Sequence, residues 1–488
     1  MGRIKDESIN GTKWQMLSRF TIQPVQFLFG IILARLITPY EMGILGLTAF
    51  FFAIAEQLQT CGFGTALIRK QERTKEDINT VFWFNIGMSI LLSSLLFLSA
   101  NWFASFFNQP ALVNLTRVSA LMMLLNSTGG VHYTLYSARR DFKTPAIINI
   151  ISTITPMPFT IWAAYAGWSY WAPMAQGILS SVISLSIIWT VSPWKPSFIF
   201  SKNSFINLFG FSSRLTVAGL ITTVYQQLRT FIIGKFYSPS QLALFSRGYT
   251  TCSTPLNIIQ QVISNVSYPI LATIQNDQEY LLQTYRKYIR LTALIVEGGM
   301  ITMAANSHSF IITLYGEKWG ACAFYAQLLC LGIMLDPLSN INSNLYTVLG
   351  RTDISLKKET ILRFFGISAM LIGAWHSIIG ICIAAILTGI FAFLLSLYLT
   401  SSICKLTMRQ QISDFYPYLS MACIANTPSF LLNILYIRNF IQANSLIILC
   451  LGSICSIFLY ILLLYIKKDP TGKFLLTLIK EQIKHKKS

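Results

Sequence analysis

Apolar residues run through the chain in stretches of about 20, divided by short polar segments, and this rhythm continues along the sequence. An α-helix rising 1.5 Å per residue needs about that length to cross a hydrocarbon core ~30 Å thick. The pattern predicts spans at 14–37, 44–68, 78–103, 112–138, 146–166, 172–191 and 206–233. A second series follows at 241–272, 291–314, 320–349, 360–376, 379–401, 415–437 and 445–466. That makes about fourteen; merging the tight hairpins at Gly167–Trp171 or around His376 would lower the count in pairs.

Composition agrees. The 488 residues are 53% hydrophobic and only 11% charged, whereas a soluble surface needs about a quarter of its residues charged. Mean hydropathy is +0.56. No inter-span segment is large enough for a soluble domain. No cleavable signal peptide is expected; the first span follows a hydrophilic start and serves as its own anchor.

Charge sets the orientation. With a cytoplasmic N-terminus, the inner loops hold 28 of the 37 Lys and Arg residues, and the outer loops hold only Lys235, Lys318 and Arg438. Both termini are therefore expected in the cytoplasm. The +19 net charge is topological and does not indicate a nucleic-acid partner, although the basic tail Lys467–Lys487 can rest on anionic lipid. The nine cysteines show no metal spacing and are read as small packing residues. No metal site, cofactor or catalytic set is expected.

The chain also resembles itself. Ile31–Leu45 aligns with Phe231–Phe245 at an offset of 200, matching Arg35 with Lys235, Pro39 with Pro239 and Gln26 with Gln226. Six intervening spans preserve orientation. The expected architecture is an all-α polytopic membrane protein of two pseudo-symmetric six-helix lobes, 1–200 and 201–402, with two extra helices and a basic tail at 403–488. Parallel repeats of this kind suit transporters.

Ionisable groups inside a span are costly and tend to face a cavity or one another. Arg35, Arg117 and Arg247 lie near span ends, where a long side chain can reach the interface or pair locally. Arg19, Gln23, Gln26 and Gly30 instead fall on one helical face, with Arg35 about 160° away. Thr222, Gln226 and Arg229 form a comparable stripe, and Arg214 is about 60° from Arg229. Asp336, Asn340, Ser343 and Thr347 share a face, as do Glu297 and His308.

Stripes on spans of both lobes predict a hydrated cationic cavity. The arginines suit an anionic, phosphate-bearing ligand. The acids Glu56, Glu297 and Asp336 are candidates either for ion pairing or for carrying a coupling ion or proton.

These residues resemble a known family. Ala34–Gly43 (ARLITPYEMG), Gly62–Lys70 (GFGTALIRK) with Phe82–Asn85 (FWFN), Ala138–Lys143 (ARRDFK), Phe236–Tyr249, Leu314–Trp319 (LYGEKW) and Gly350–Asp353 (GRTD) occur in its order and spacing. The chain resembles the polysaccharide flippases of the multidrug/oligosaccharidyl-lipid/polysaccharide exporter superfamily, in the O-antigen and colanic-acid branch. The likeness runs from about residue 8 to 400; Ala243 departs from the usual Gly, which its twin Gly43 keeps.

The resemblance implies a two-lobe exporter of the bacterial inner membrane working by alternating access. It would flip undecaprenyl-pyrophosphate-linked oligosaccharide to the periplasmic leaflet, coupled to an ion or proton. It would act as a monomer among membrane lipids, beside other polysaccharide-assembly proteins. A drug/cation antiporter of the same superfamily would be expected to carry an acidic cavity, and the basic excess opposes it. A membrane-bound glycan polymerase or glycosyltransferase needs larger loops. The acid-x-acid pattern Asp277–Glu279 sits in a short inner loop, and no P-loop or nucleophile elbow is present. The chain is expected not to be an enzyme.

Overall fold

The computed structural model describes residues 2–404, 406–441, 443–469 and 471–472, with side chains from residue 11 onward except residue 12. Most of the expected basic tail, from residue 473, lies outside the described residues. Among the described residues every regular element but one is an α-helix, the exception being a single turn of 3₁₀ helix at Glu317–Trp319. One compact unit ends at Ala243 and the second begins at Leu244.

The first unit contains α1 (Gly2–Leu36), α2 (Pro39–Thr60), α3 (Phe63–Arg69), α4 (Lys75–Leu98), α5 (Ala100–Phe107), α6 (Leu112–Ala138), α7 (Lys143–Ile154), α8 (Met157–Tyr165), α9 (Trp171–Val191) and α10 (Lys202–Phe236). α11 (Pro239–Thr273) begins at its edge. The second unit holds α12 (Gln278–Ala305), α13 (Ser307–Tyr315), α14 (Gly320–Ile333), α15 (Asp336–Val348), α16 (Thr352–His376), α17 (Ile378–Ile403), α18 (Met408–Ile437) and α19 (Ser445–Ile466).

Five expected spans are each divided by a one- or two-residue break, into α2 and α3, α4 and α5, α7 and α8, α12 and α13, and α14 and α15. Counted by those spans, the described helices are consistent with the expected fourteen. Eleven are long and apolar enough to cross a membrane by length and composition. The chain is a multi-pass membrane protein. Both tight hairpins keep their helices separate. Gly167 at φ +84° and Ser169 at φ +55° turn the chain between α8 and α9. Extended Ser377 separates α16 from α17, whose backbones meet at Gly373 and Gly380, where a Cβ on either would overlap the other.

The offset-200 repeat reappears as geometry. α1 and α10 are both 35 residues long and end at Leu36 and Phe236. Each following helix begins at a proline with a reciprocal cap. The Glu41 amide donates to Thr38 Oγ1 while the Thr38 amide donates to Glu41 Oε2 at 2.8 Å. The Ser238 amide donates to Gln241 Oε1 at 3.2 Å and the Gln241 amide to Ser238 Oγ at 3.3 Å. A proline needs no amide partner in the first turn, and the hydroxyl and carboxyl or amide groups satisfy the donors that remain.

In the first unit, α1 packs on α7 and α8, while α10 lies along α2 and touches α3 and α4. In the second, α12, α18 and α19 pack together, and α17 lies against α14, α15 and α16. Its apolar core includes Leu281, Ala293, Leu338, Leu345 and Phe393.

Candidate functional site

Several motif positions turn out to be joints. The turn after α2 places Cys61 at φ 42° and Gly62 at φ +65°, which re-aims the chain into α3. Arg73 then caps α3, its Nε donating to the Leu67 carbonyl at 2.7 Å. Lys70 pairs with buried Asp77 at 2.7 Å, tying α3 to the start of α4. Gly350, at φ +72°, makes the corresponding turn before α16, and Arg351 pairs there with Asp353. These residues hold their turns in shape.

Two of the arginines read as end-of-span residues, Arg117 and Arg247, find aromatic partners. The Arg117 guanidinium lies 5.2 Å from the Phe97 ring. Arg247 lies over Tyr315 and Trp319 at 5.2 and 5.4 Å. Lys235 donates to the Phe106 carbonyl at 2.7 Å and sits over its ring.

The stripe residues stand apart from these. On α1, Arg19, Gln23 and Gln26 are all exposed. On α10, Arg214 and Gln226 are exposed and Arg229 is half-buried. Arg214 donates its Nε to the Gly210 carbonyl one turn back, which leaves the other guanidinium donors pointing outward. Two spans of the first unit therefore present cationic and amide groups on their surfaces, where lipid alone would make them costly.

The acids separate into three settings. Glu56 on α2 lines a cavity of about 400 Å³ within the first unit, between α2, α6 and α9. Gln59, Ser119, Asn126 and Thr48 add polar groups, and Phe52, Met122 and Met174 supply apolar walls; no Lys or Arg lines it. A space with one carboxylate, two amides and no cation suits hydroxyl-rich or cationic groups rather than phosphate.

Asp336 begins α15 beside Lys358, which reaches in from α16. Lys358 is 2% exposed and donates to the Ser339 carbonyl at 2.9 Å and Ser343 Oγ at 2.8 Å. By the span pattern Lys358 falls in the short polar segment between the spans 320–349 and 360–376. Its position six residues after α16 begins, on the helix that follows the Asp336–Thr347 stripe, was the available signal.

Glu297 is fully buried on α12, and neither carboxylate oxygen has a hydrogen-bond partner. His308, expected on its face, is carried by α13 beyond the break at Asn306, with its ring 5.9 Å from Tyr436. Among the described residues no cluster of His, Cys, Asp and Glu has metal-binding geometry.

A family model described as "Polysaccharide biosynthesis protein" matches residues 32–324. The teichuronic acid biosynthesis protein TuaB of Bacillus subtilis is 23% identical, the match covering 87% of this chain and 89% of that one. The lipopolysaccharide biosynthesis protein WzxC of Escherichia coli is also 23% identical, covering 81% of each. The solved structure of the lipid II flippase MurJ in an inward closed conformation superimposes with a TM-score of 0.70 at 16% identity, over 94% of this chain and 99% of that one. The last likeness establishes the fold, and the family match spans more than half of the sequence. The chain belongs to the polysaccharide biosynthesis protein family and shares its fold with the lipid II flippase MurJ.

Proposed function

We propose that this protein flips undecaprenyl-pyrophosphate-linked oligosaccharide units from the cytoplasmic to the periplasmic leaflet of a bacterial inner membrane. The observation that carries the reading is the exposed set Arg19, Gln23 and Gln26 on α1 with Arg214 and Gln226 on α10. Guanidinium groups bind pyrophosphate through paired hydrogen bonds, and amides meet sugar hydroxyls. Half-buried Arg229 adds a third cation on the same helix as Arg214. The names of the relatives, a teichuronic acid and a lipopolysaccharide biosynthesis protein, support the substrate class.

The offset-200 repeat supports two functional lobes, 1–200 and 201–402, with 403–488 appended; repacking of the lobes moves the site between leaflets. The protein moves its substrate without remaking it. It acts as a monomer, with both termini cytoplasmic, as the one-sided inner-loop charge implies.

The test is complementation of a strain lacking its own flippase. Arg19→Ala, Arg214→Ala and Arg229→Ala, combined, are expected to abolish surface glycan while lipid-linked oligosaccharide accumulates. Full glycan display by the triple variant at parental protein level would remove the arginines from the mechanism.

A further inference from the structure

The last two helices are fastened to α12 by polar contacts at two levels. Near the start of α12, Arg286 and Arg290 both bind Asp414 of α18, at 2.7 and 2.6 Å. Beyond its far end, Ser309 donates to Asn433 Oδ1 at 2.8 Å, and Asn433 Nδ2 donates to Asn306 Oδ1 at 3.1 Å. The α18–α19 contact is closed at that level by Ser429, which meets Ser456 at 2.5 Å and donates to the Gly452 carbonyl at 2.6 Å. At both levels the charged and amide groups named here are paired, although Thr292 Oγ1 and Gln411 Oε1 near the first level have no partner.

Glu297 lies between these levels, seven residues past Arg290 and nine before Asn306, which is about 10 Å from one and about 13 Å from the other. It is 0% exposed and both its oxygens are unpartnered. The Oδ1 of buried Asn426 on α18 also lacks a partner. α19 closes over the same turn. The Tyr460 ring lies against Gly298, where a Cβ would come within 2.7 Å of it, and the Tyr460 hydroxyl donates to the Leu294 carbonyl at 3.0 Å.

The titratable groups closest in influence are Cys423 of α18 and Tyr460 of α19. α13 carries His308, beside Tyr436; α14 carries Cys330, in contact with Cys252; α15 carries Asp336, beside Lys358. None of the described Lys, Arg or His residues forms a salt bridge with Glu297. A structural role would call for a hydrogen-bonded group or an apolar one, because a lone buried carboxyl is costly in either form. A group that alternately binds and releases a proton must be titratable, which a glutamate is and the amide of a glutamine is not.

Resting on the flippase reading, we propose that Glu297 is a proton-binding site for coupling, held as the neutral acid while α18 and α19 cover it and ionised when that seam admits water. The step is uptake of one proton by the carboxylate to give the acid, and its reversal on the other side of the cycle. The site is placed between α12 and the C-terminal helix pair, apart from the arginine-bearing surfaces.

Two measurements test it on the full-length protein with Glu297→Gln and Glu297→Asp. Infrared difference spectra in nanodiscs across a pH titration are expected to show a protonated-carboxyl band in the parent. The band should be absent from Glu297→Gln and retained, shifted, in Glu297→Asp. In proteoliposomes holding a pH dye, lipid-linked oligosaccharide extracted from the complemented strain is expected to drive proton movement with the parent. Glu297→Asp should keep that movement and Glu297→Gln should lose at least ten-fold in rate.

A Glu297→Gln variant matching the parent in either measurement overturns the proposal. Failure of the parent itself to restore glycan display removes the flippase reading, and the coupling with it, while the infrared titration still reports whether Glu297 binds a proton.

Discussion

Arg286 grips Asp414 with two parallel hydrogen bonds, Nε to Oδ2 at 2.7 Å and Nη2 to Oδ1 at 2.9 Å. Arg290 adds a third from the next turn of α12. Asp414 is 2% exposed, so its charge depends on these two partners. Asp414→Asn is expected to destabilise the protein by about 2 kcal/mol, less than a fully buried pair would lose because both arginines are partly exposed. The midpoint of thermal unfolding in detergent measures this, and an unchanged midpoint would show that the clamp contributes nothing.

Lys358 and Asp336 should behave as a coupled pair. Lys358→Met removes the ammonium donor from Ser343 Oγ and from the Ser339 carbonyl, which keeps the Ser343 hydroxyl, and Asp336→Asn removes a nearby negative charge. A double-mutant cycle on unfolding free energy is expected to give an interaction of about 1 kcal/mol, with the double variant less damaged than the sum of the singles. Simple additivity would refute the pairing.

Gly43 and Pro239 meet at the corner of the repeat. A Cβ at Gly43 would overlap the Pro239 backbone, which cannot yield as a flexible side chain would. Gly43→Ala is expected to cost about 1–3 kcal/mol, through overpacking. Gly210→Ala, where nothing lies within 4 Å of the added carbon, is the control and should retain parental stability. Equal behaviour of the two variants would contradict the close approach.

Glu56→Gln separates function from folding. The side chain faces open space in the first-unit cavity, so the unfolding free energy should move by less than about 0.5 kcal/mol. Glycan display in the complementation assay should nevertheless fall, because Glu56 carries the only charge lining that cavity. Undiminished display would leave the cavity without a part in transport.

Much of this molecule was legible along the chain because lipid imposes a simple code. A helix must be about 20 residues long and apolar to cross, and uncompensated charge must stay at the ends. The long apolar helices follow from that code, and the twin caps at Thr38 and Ser238 follow from a local rule linking a hydroxyl to the residue three positions on. The stripes on α1 and α10 were readable for the same reason: helical periodicity is a local property, and the side chains of Arg19, Gln23, Gln26, Arg214 and Gln226 are indeed exposed.

Partnership between helices distant in sequence was not readable. Periodicity marked Glu56, Glu297 and Asp336 alike as acids inside spans, yet one faces a cavity, one is sealed without a partner and one lies beside Lys358. Lys358 itself looked like a loop charge until α16 folded it against α15. The sequence by itself determined where the long apolar helices fall and which of their faces are polar, because those depend on neighbours within one helix. The tertiary structure alone decided what each polar face meets, because that depends on helices brought together from more than a hundred residues apart, as Arg286 and Asp414 are.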